Sequence, residues 1–202
     1  LEDDIVVAPS FYLYALACVE KYSSNNEIAG ISLYNFPINY HNLKKFEPLK
    51  DKHDVFFMNC AMSWGEVWLK YQWNQFYNWY KLNDAEFGDS PHLPHSICSW
   101  GKKSWLKYHT RYCIEQNKYF VFPYIALSTN PGEIGTHNKC EYNNLFQCSL
   151  LSGIQENYRL PATVDEGVRY DGFFENKSLP SILVFPENDI CIDLNSFKGN
   201  RE

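Results

Sequence analysis

The sequence predicts an α/β layered domain, because short apolar runs alternate along the chain with segments of helical periodicity. Its 202 residues are 45% hydrophobic and 21% charged, a globular composition that can bury a sizeable core. Eighteen Lys and Arg against twenty-four Asp and Glu give a net charge of −6 without basic blocks, which argues against non-specific nucleic-acid binding. The longest apolar stretches span about nine residues, so we expect no transmembrane segment.

The first third of the chain predicts one helix between two strands. Pro9 suits the first turn of a helix, and apolar residues follow at helical spacing from Phe11 to Tyr22. Residues 1–7 end a strand, and 28–34 form a second, buried strand. Residues 38–53 are polar and irregular, which predicts a loop.

The middle of the chain repeats the alternation. Residues 55–60 predict a strand that continues directly into Ser63-Trp64-Gly65, after which we expect a helix. A loop over 83–94 and a helix over 102–117 follow. Residues 118–126 predict another strand, which tolerates Pro123 only at an edge or near an end. Two short strands, 182–185 and 190–194, predict a hairpin in the tail.

Three consecutive carboxylates, Glu2-Asp3-Asp4, form the first candidate site. Adjacent carboxylates repel one another unless a cation neutralises them, and hard oxygen ligands suit Mg²⁺ or Mn²⁺. Such an ion would bridge the diphosphate of a nucleotide. The competing interpretation is a solvated acidic turn, which is the usual role of a charged run.

The acidic triplet, the apolar residues 5–7, Pro9 and the aromatic helix together resemble the metal-binding region of glycosyltransferases with the GT-A fold. The resemblance is to family 2 of these enzymes and, more distantly, to the Golgi N-acetylglucosaminyltransferases. Three later segments look like further parts of the same family in the expected order, so the resemblance covers about residues 1–137. These segments are EIAGISLYN (27–35), DVFFMNCAMSWGEVW (54–68) and YFVFPYIALSTNPGEIGTH (119–137).

The resemblance implies a partial GT-A fold with a mixed sheet flanked by helices, and it implies roles for six residues. Asp4 would contact the metal, and His137 would be a late metal or diphosphate ligand. The other four would bind the donor: Glu2 and Asp3 through metal-bound water or sugar hydroxyls, Trp64 through its apolar face, and Gly65 by close backbone approach. Taken singly, Trp64 is also typical of a core aromatic, and His137 of a structural or solvated histidine.

The catalytic base is the point where the chain departs from the family. Many relatives have an Asp after a Trp just before the third helix, but Gly101 follows Trp100 here and cannot accept a proton. The candidate substitutes are Asp89, in a loop, and Glu66, next to Gly65. Asp89 could equally be a turn residue, and Glu66 a first-turn carboxylate interacting with a helix dipole.

The resemblance also divides the chain. Residues 1–137 would be the metal- and acceptor-side part of the transferase domain, and 138–202 a C-terminal extension, in the same domain or appended. In GT-A folds a Rossmann-like half precedes the acidic motif. We therefore expect a nucleotide-binding segment upstream of Leu1, without which this chain holds a sugar-nucleotide poorly.

The function implied is a metal-dependent, inverting glycosyltransferase with a UDP-sugar as the expected donor and a saccharide or lipid-linked acceptor, in bacterial surface polysaccharide synthesis. Aromatic residues make up 17% of the chain, which suits stacking on sugar rings as well as filling a core. Two alternatives remain open: a catalytically silent carbohydrate-binding relative, and a sugar nucleotidyltransferase.

Seven scattered cysteines without a CxxC pair predict reduced thiols, hence a cytoplasmic protein, in keeping with a peripheral position at the inner face of the membrane.

Overall fold

A mixed five-stranded sheet organises the fold in the computed structural model, which describes residues 1–132, 144–179 and 192–198. The strands are β1 (Val6–Val7), β2 (Ile28–Ser32), β3 (Ile38–Asn39), β4 (Lys44–Lys45), β5 (Val55–Met58), β6 (Glu66–Val67), β7 (Tyr119–Pro123), β8 (Ser128–Thr129) and β9 (Arg169–Tyr170). The sheet has the order β6-β2-β7-β5-β9, with β2 parallel to β7, β5 parallel to β9, and the other pairs antiparallel. The remaining strands form two small ladders, β1 with β8 and β3 with β4.

The helices cover both faces of this sheet. They are α1 (Phe11–Tyr22), α2 (Lys70–Asn83), α3 (His95–Cys98) and α4 (Trp105–Glu115), and a 3₁₀ turn spans Val164–Glu166. Successive side chains of a strand point to opposite faces, so Phe120 and Phe122 join one apolar core while Tyr119 and Val121 join another. Aromatic residues of α2 and α4 pack in the first core, and α1 packs in the second.

The predicted α/β architecture, with a mixed sheet flanked by helices, is therefore confirmed. The three central strands β2, β5 and β7 are buried along their whole length, which explains why their sequences are continuous apolar runs rather than alternating ones. Pro123 is the last residue of β7, where a missing N–H does least harm to the ladder.

Three local predictions were wrong. The carboxylates of residues 2–4 do not continue a strand, because only Val6–Val7 of that stretch is extended and paired. The loop predicted over 38–53 contains the β3–β4 hairpin. The helix expected directly after Gly65 begins only at Lys70, since Glu66–Val67 first pairs with the edge of β2.

The segment after residue 144 is joined to the main sheet by β9, which pairs with β5 through Phe57↔Arg169 and Met58↔Tyr170. The predicted hairpin of the tail falls largely on residues 180–191, outside the described residues. None of the helices in the described ranges is long and apolar enough to cross a bilayer.

Candidate functional site

The acidic turn lies at the start of the β1–β8 ladder. Glu2, Asp3 and Asp4 are exposed, and β1 pairs with β8 through Val6↔Thr129 and Val7↔Ser128. The residue after β8, Asn130, donates a hydrogen bond from Nδ2 to Oδ2 of Asp4 over 2.9 Å. This contact orients the carboxylate that the sequence assigned to a metal.

The same strand β8 also holds the Trp64-Gly65 segment. The Ser128 hydroxyl donates to the backbone carbonyl of Trp64 over 2.6 Å, and the Leu33 amide donates to the carbonyl of Gly65 over 2.9 Å. Gly65 has φ +83°, and a Cβ there would lie 2.9 Å from both Leu33 Cβ and Ser128 Oγ. A glycine is therefore required at this position by the close approach of its neighbours, as well as by the backbone conformation.

An aromatic cleft of about 340 Å³ opens beside Trp64. Six aromatic residues contribute to its wall: Tyr34, Phe36, Tyr40, Trp64, Trp100 and Phe146. The Trp64 ring is fixed edge-on against Tyr34 at 5.0 Å between centroids, and the Tyr34 hydroxyl donates to the carbonyl of Phe146 over 2.8 Å. Besides the tyrosine hydroxyls, the side-chain hydroxyls of this wall within the described residues are those of Ser63 and Ser96.

Glu66 is buried on β6 and is not part of the cleft wall. Its side chain is 3% exposed and its Oε1 is 3.5 Å from Nδ1 of the fully buried His109, too long for a strong hydrogen bond. Burial, and the negative charge of Glu2, raise the pKa of Glu66 well above its usual range, while burial lowers the pKa of His109 to about 3. Both groups therefore favour their neutral forms, and Glu66 stands on β6 rather than in the first turn of a helix.

Asp89 occupies the loop before α3 and is the more accessible of the two candidate bases. Its side chain is 74% exposed, and its Oδ1 accepts a hydrogen bond of 2.7 Å from Nδ1 of the exposed His95. Ser96, which directly follows His95, lines the cleft, but Asp89 does not. The structure thus brings neither carboxylate to the cleft wall.

Lys107 is a structural residue that the sequence analysis missed. It belongs to α4, its side chain is buried, and Nζ donates to the carbonyls of Phe87, Cys98 and Trp100 at 3.0, 2.9 and 2.9 Å. The ammonium also lies 4.4 Å from the Phe87 ring centroid. Lys107 thereby anchors the loop that presents Trp100 to the cleft, and nothing in the helical spacing distinguishes it from a solvated lysine.

A divalent ion at the acidic turn would be held only partly by the protein. Within the described ranges no three His, Cys, Asp or Glu side chains converge on one point, and His137 lies outside those ranges. Mg²⁺ and Mn²⁺, however, commonly take only one or two carboxylates and complete their shell with water and phosphate. Asp4, oriented by Asn130, and the exposed Glu2 and Asp3 could supply such ligands.

The comparisons with known proteins add no relative to this description. No model of a known protein family matches the chain, and no curated protein matches it either.

Proposed function

We propose that this chain carries the metal- and acceptor-side part of a metal-dependent glycosyltransferase that takes its sugar from a nucleotide donor. The observation that carries the proposal is the position of β8, which contacts both candidate subsites. Ser128 of β8 holds Trp64 at the aromatic cleft, and Asn130, the residue directly after β8, orients Asp4. The resemblance of the sequence to the GT-A family assigns these same two segments to the metal and the sugar.

The two subsites would divide the work of the reaction. A divalent ion at the acidic turn would neutralise the diphosphate and stabilise it as a leaving group. The aromatic wall, with Trp64 and Trp100, would pack against the apolar C–H faces of a sugar ring and exclude water from it. Asn130 would keep Asp4 in one orientation, so that less side-chain freedom is lost when the ligand binds.

One observation favours the second candidate, a carbohydrate-binding relative without turnover. No carboxylate lines the cleft in the described part of the chain, since Glu66 is buried against His109 and Asp89 is turned to solvent beside His95. A Cβ added at Gly101 would meet nothing within 4 Å, so an Asp at this position would be sterically possible, but the chain has none. Such a protein would use the aromatic wall and would not release nucleotide.

The deciding experiment is a thermal unfolding titration of the full-length protein with UDP, with Mn²⁺, and with both. We expect UDP to raise the melting temperature only when Mn²⁺ is present, because the ion bridges carboxylate and diphosphate. Asp4→Asn should remove the effect. The matched control is Asp84→Asn, which makes the same chemical change at an exposed residue at the end of α2 and should respond like the parent.

If neither UDP nor any other nucleotide changes the melting temperature in the presence of Mn²⁺ or Mg²⁺, the transferase proposal is excluded. Saccharide binding at the cleft, abolished by Trp64→Ala, would then support the binding relative. A response to UDP that survives in Asp4→Asn would mean that the acidic turn is not the metal site.

A further inference from the structure

A serine and a histidine are hydrogen-bonded at the edge of the aromatic cleft. Oγ of Ser96 lies 2.6 Å from Nδ1 of His41, and the other ring nitrogen, Nε2, lies 2.9 Å from the carbonyl oxygen of Gly172. A carbonyl only accepts, so Nε2 must carry the hydrogen and Nδ1 the lone pair in the neutral ring. The Ser96 hydroxyl therefore donates to Nδ1.

The surroundings of His41 keep its ring neutral and fixed in place. The rings of Tyr40 and Phe174 pack at centroid distances of 4.3 and 5.3 Å, and burial lowers the pKa of His41. The hydrogen bond to the Gly172 carbonyl and, to a smaller extent, the negative charge of Asp171 raise the pKa of His41 without overcoming the effect of burial, and the Lys198 ammonium lies 2.6 Å from Oδ2 of Asp171. A neutral imidazole whose Nδ1 lone pair already accepts a hydrogen bond from Ser96 can take up that proton at physiological pH.

Ser96 connects this imidazole to the cleft. It lines the wall together with Tyr40 and Trp100, whereas His41 stands behind it. The two tyrosine hydroxyls of the wall are engaged elsewhere, that of Tyr34 with the carbonyl of Phe146 and that of Tyr40 with the Cys60 sulfur at 3.3 Å. Among the described residues of the wall, Ser96 is thus the hydroxyl that hydrogen-bonds to a basic nitrogen.

We propose that Ser96 and His41 together remove the proton from the acceptor hydroxyl. This is the role of the catalytic base, for which no Asp or Glu lines the cleft in the described part of the chain. The inference rests on the proposed glycosyltransferase function. As the acceptor oxygen forms a bond to the anomeric carbon, its proton passes to Ser96 Oγ and the Ser96 proton passes to His41 Nδ1. The bond from the anomeric carbon to the diphosphate breaks, and the electron pair leaves with the nucleotide. The imidazolium then returns its proton to solvent.

The two residues have different parts in this step. Ser96 is the catalytic residue, because it touches the reacting hydroxyl. His41 is the positioning residue behind it, which orients the serine hydroxyl and holds the transferred proton. Nε2–H remains bonded to the carbonyl of Gly172 throughout, so that the ring does not turn as its charge changes.

The test measures UDP release by the full-length protein with Mn²⁺ and UDP-glucose, UDP-galactose or UDP-N-acetylglucosamine, with water as the acceptor. Ser96→Ala and His41→Gln should each lower kcat about 100-fold at an unchanged donor KM, the usual effect of losing a general base. Gln at 41 can still accept from Ser96 and donate to Gly172, but it cannot hold a proton. The parent rate should therefore fall on acidification as His41 is protonated, and this limb should be absent in His41→Gln.

The matched control is Ser99→Ala, because Ser99 lies in the turn after α3 and its exposed hydroxyl donates to the carbonyl of Ser96 without contacting His41. It should keep the parent rate and pH profile. Unchanged kcat in both test variants would overturn the proton-transfer role while leaving the transferase function standing. UDP binding with Mn²⁺ but no release from any of the three donors would overturn it as well. The absence of any metal-dependent nucleotide binding would instead refute the proposed function.

Discussion

Replacing the buried Lys107 by Met should destabilise the loop that forms one side of the cleft. Three hydrogen bonds from the ammonium would be lost, each worth about 1.5–3 kcal/mol because the donor is charged. The substitution also removes the cost of burying the ammonium, which is itself several kcal/mol. Water can reach the carbonyls of Phe87 and Trp100, which are only partly buried, but less readily that of Cys98. We therefore expect a net loss of about 2–4 kcal/mol in the free energy of unfolding.

Urea denaturation measures this loss, and hydrogen exchange shows where it falls. Amides of residues 84–101 should exchange faster in Lys107→Met than in the parent, while those of β5 and β7 should change only as global stability does. Lys103→Met is the control, because it removes the same charge from an exposed position four residues earlier. If Lys107→Met proves as stable as Lys103→Met, the three hydrogen bonds do not hold the loop and the reasoning fails.

Two further substitutions test the neighbouring residues Gly65 and Glu66. Gly65→Ala should lower the free energy of unfolding by about 2 kcal/mol, from the positive φ and the close approach of Leu33 and Ser128, whereas Gly88→Ala, whose Cβ meets open space, should not. Glu66 has a raised pKa in the folded state, so folding takes up a proton there and stability should fall as pH rises from the unfolded pKa towards the folded one. Glu66→Gln removes the titrating carboxyl and keeps His109, so urea denaturation at a series of pH values above the usual Glu pKa of 4.5 should show the parent losing stability relative to Glu66→Gln, by up to about 1.4 kcal/mol per pH unit, until the folded pKa of Glu66 is passed.

Each of these two predictions has a control variant and an outcome that would contradict it. Equal stability of Gly65→Ala and Gly88→Ala would show that the Trp64-Gly65 segment can move away from β8. A decline with pH that persists unchanged in Glu66→Gln would mean that another group carries it, and Glu86→Gln, at an exposed site, should leave the decline as in the parent.

Burial explains which elements could be predicted from sequence. The central strands are continuous apolar runs because both of their faces are covered, and α1 shows one apolar face because only that face is buried. The short strand Glu66–Val67 has no such pattern, since it is extended by pairing with β2 rather than by its own residues. For the same reason the sequence predicts the start of α2 too early, directly after Gly65 instead of at Lys70.

The sequence by itself determined the α/β class and the order of the main elements, because hydrophobic periodicity is written along the chain, and it supplied the candidate residues for the proposed metal and sugar sites. Only the tertiary structure decided where those residues lie. It bonded Trp64 to Ser128 of β8 and Asp4 to Asn130 directly after it, buried Glu66 against His109, turned Asp89 to solvent, and joined Ser96 to His41 across 55 positions of sequence. These contacts depend on strand pairing and packing between distant segments, and no local pattern encodes such distances.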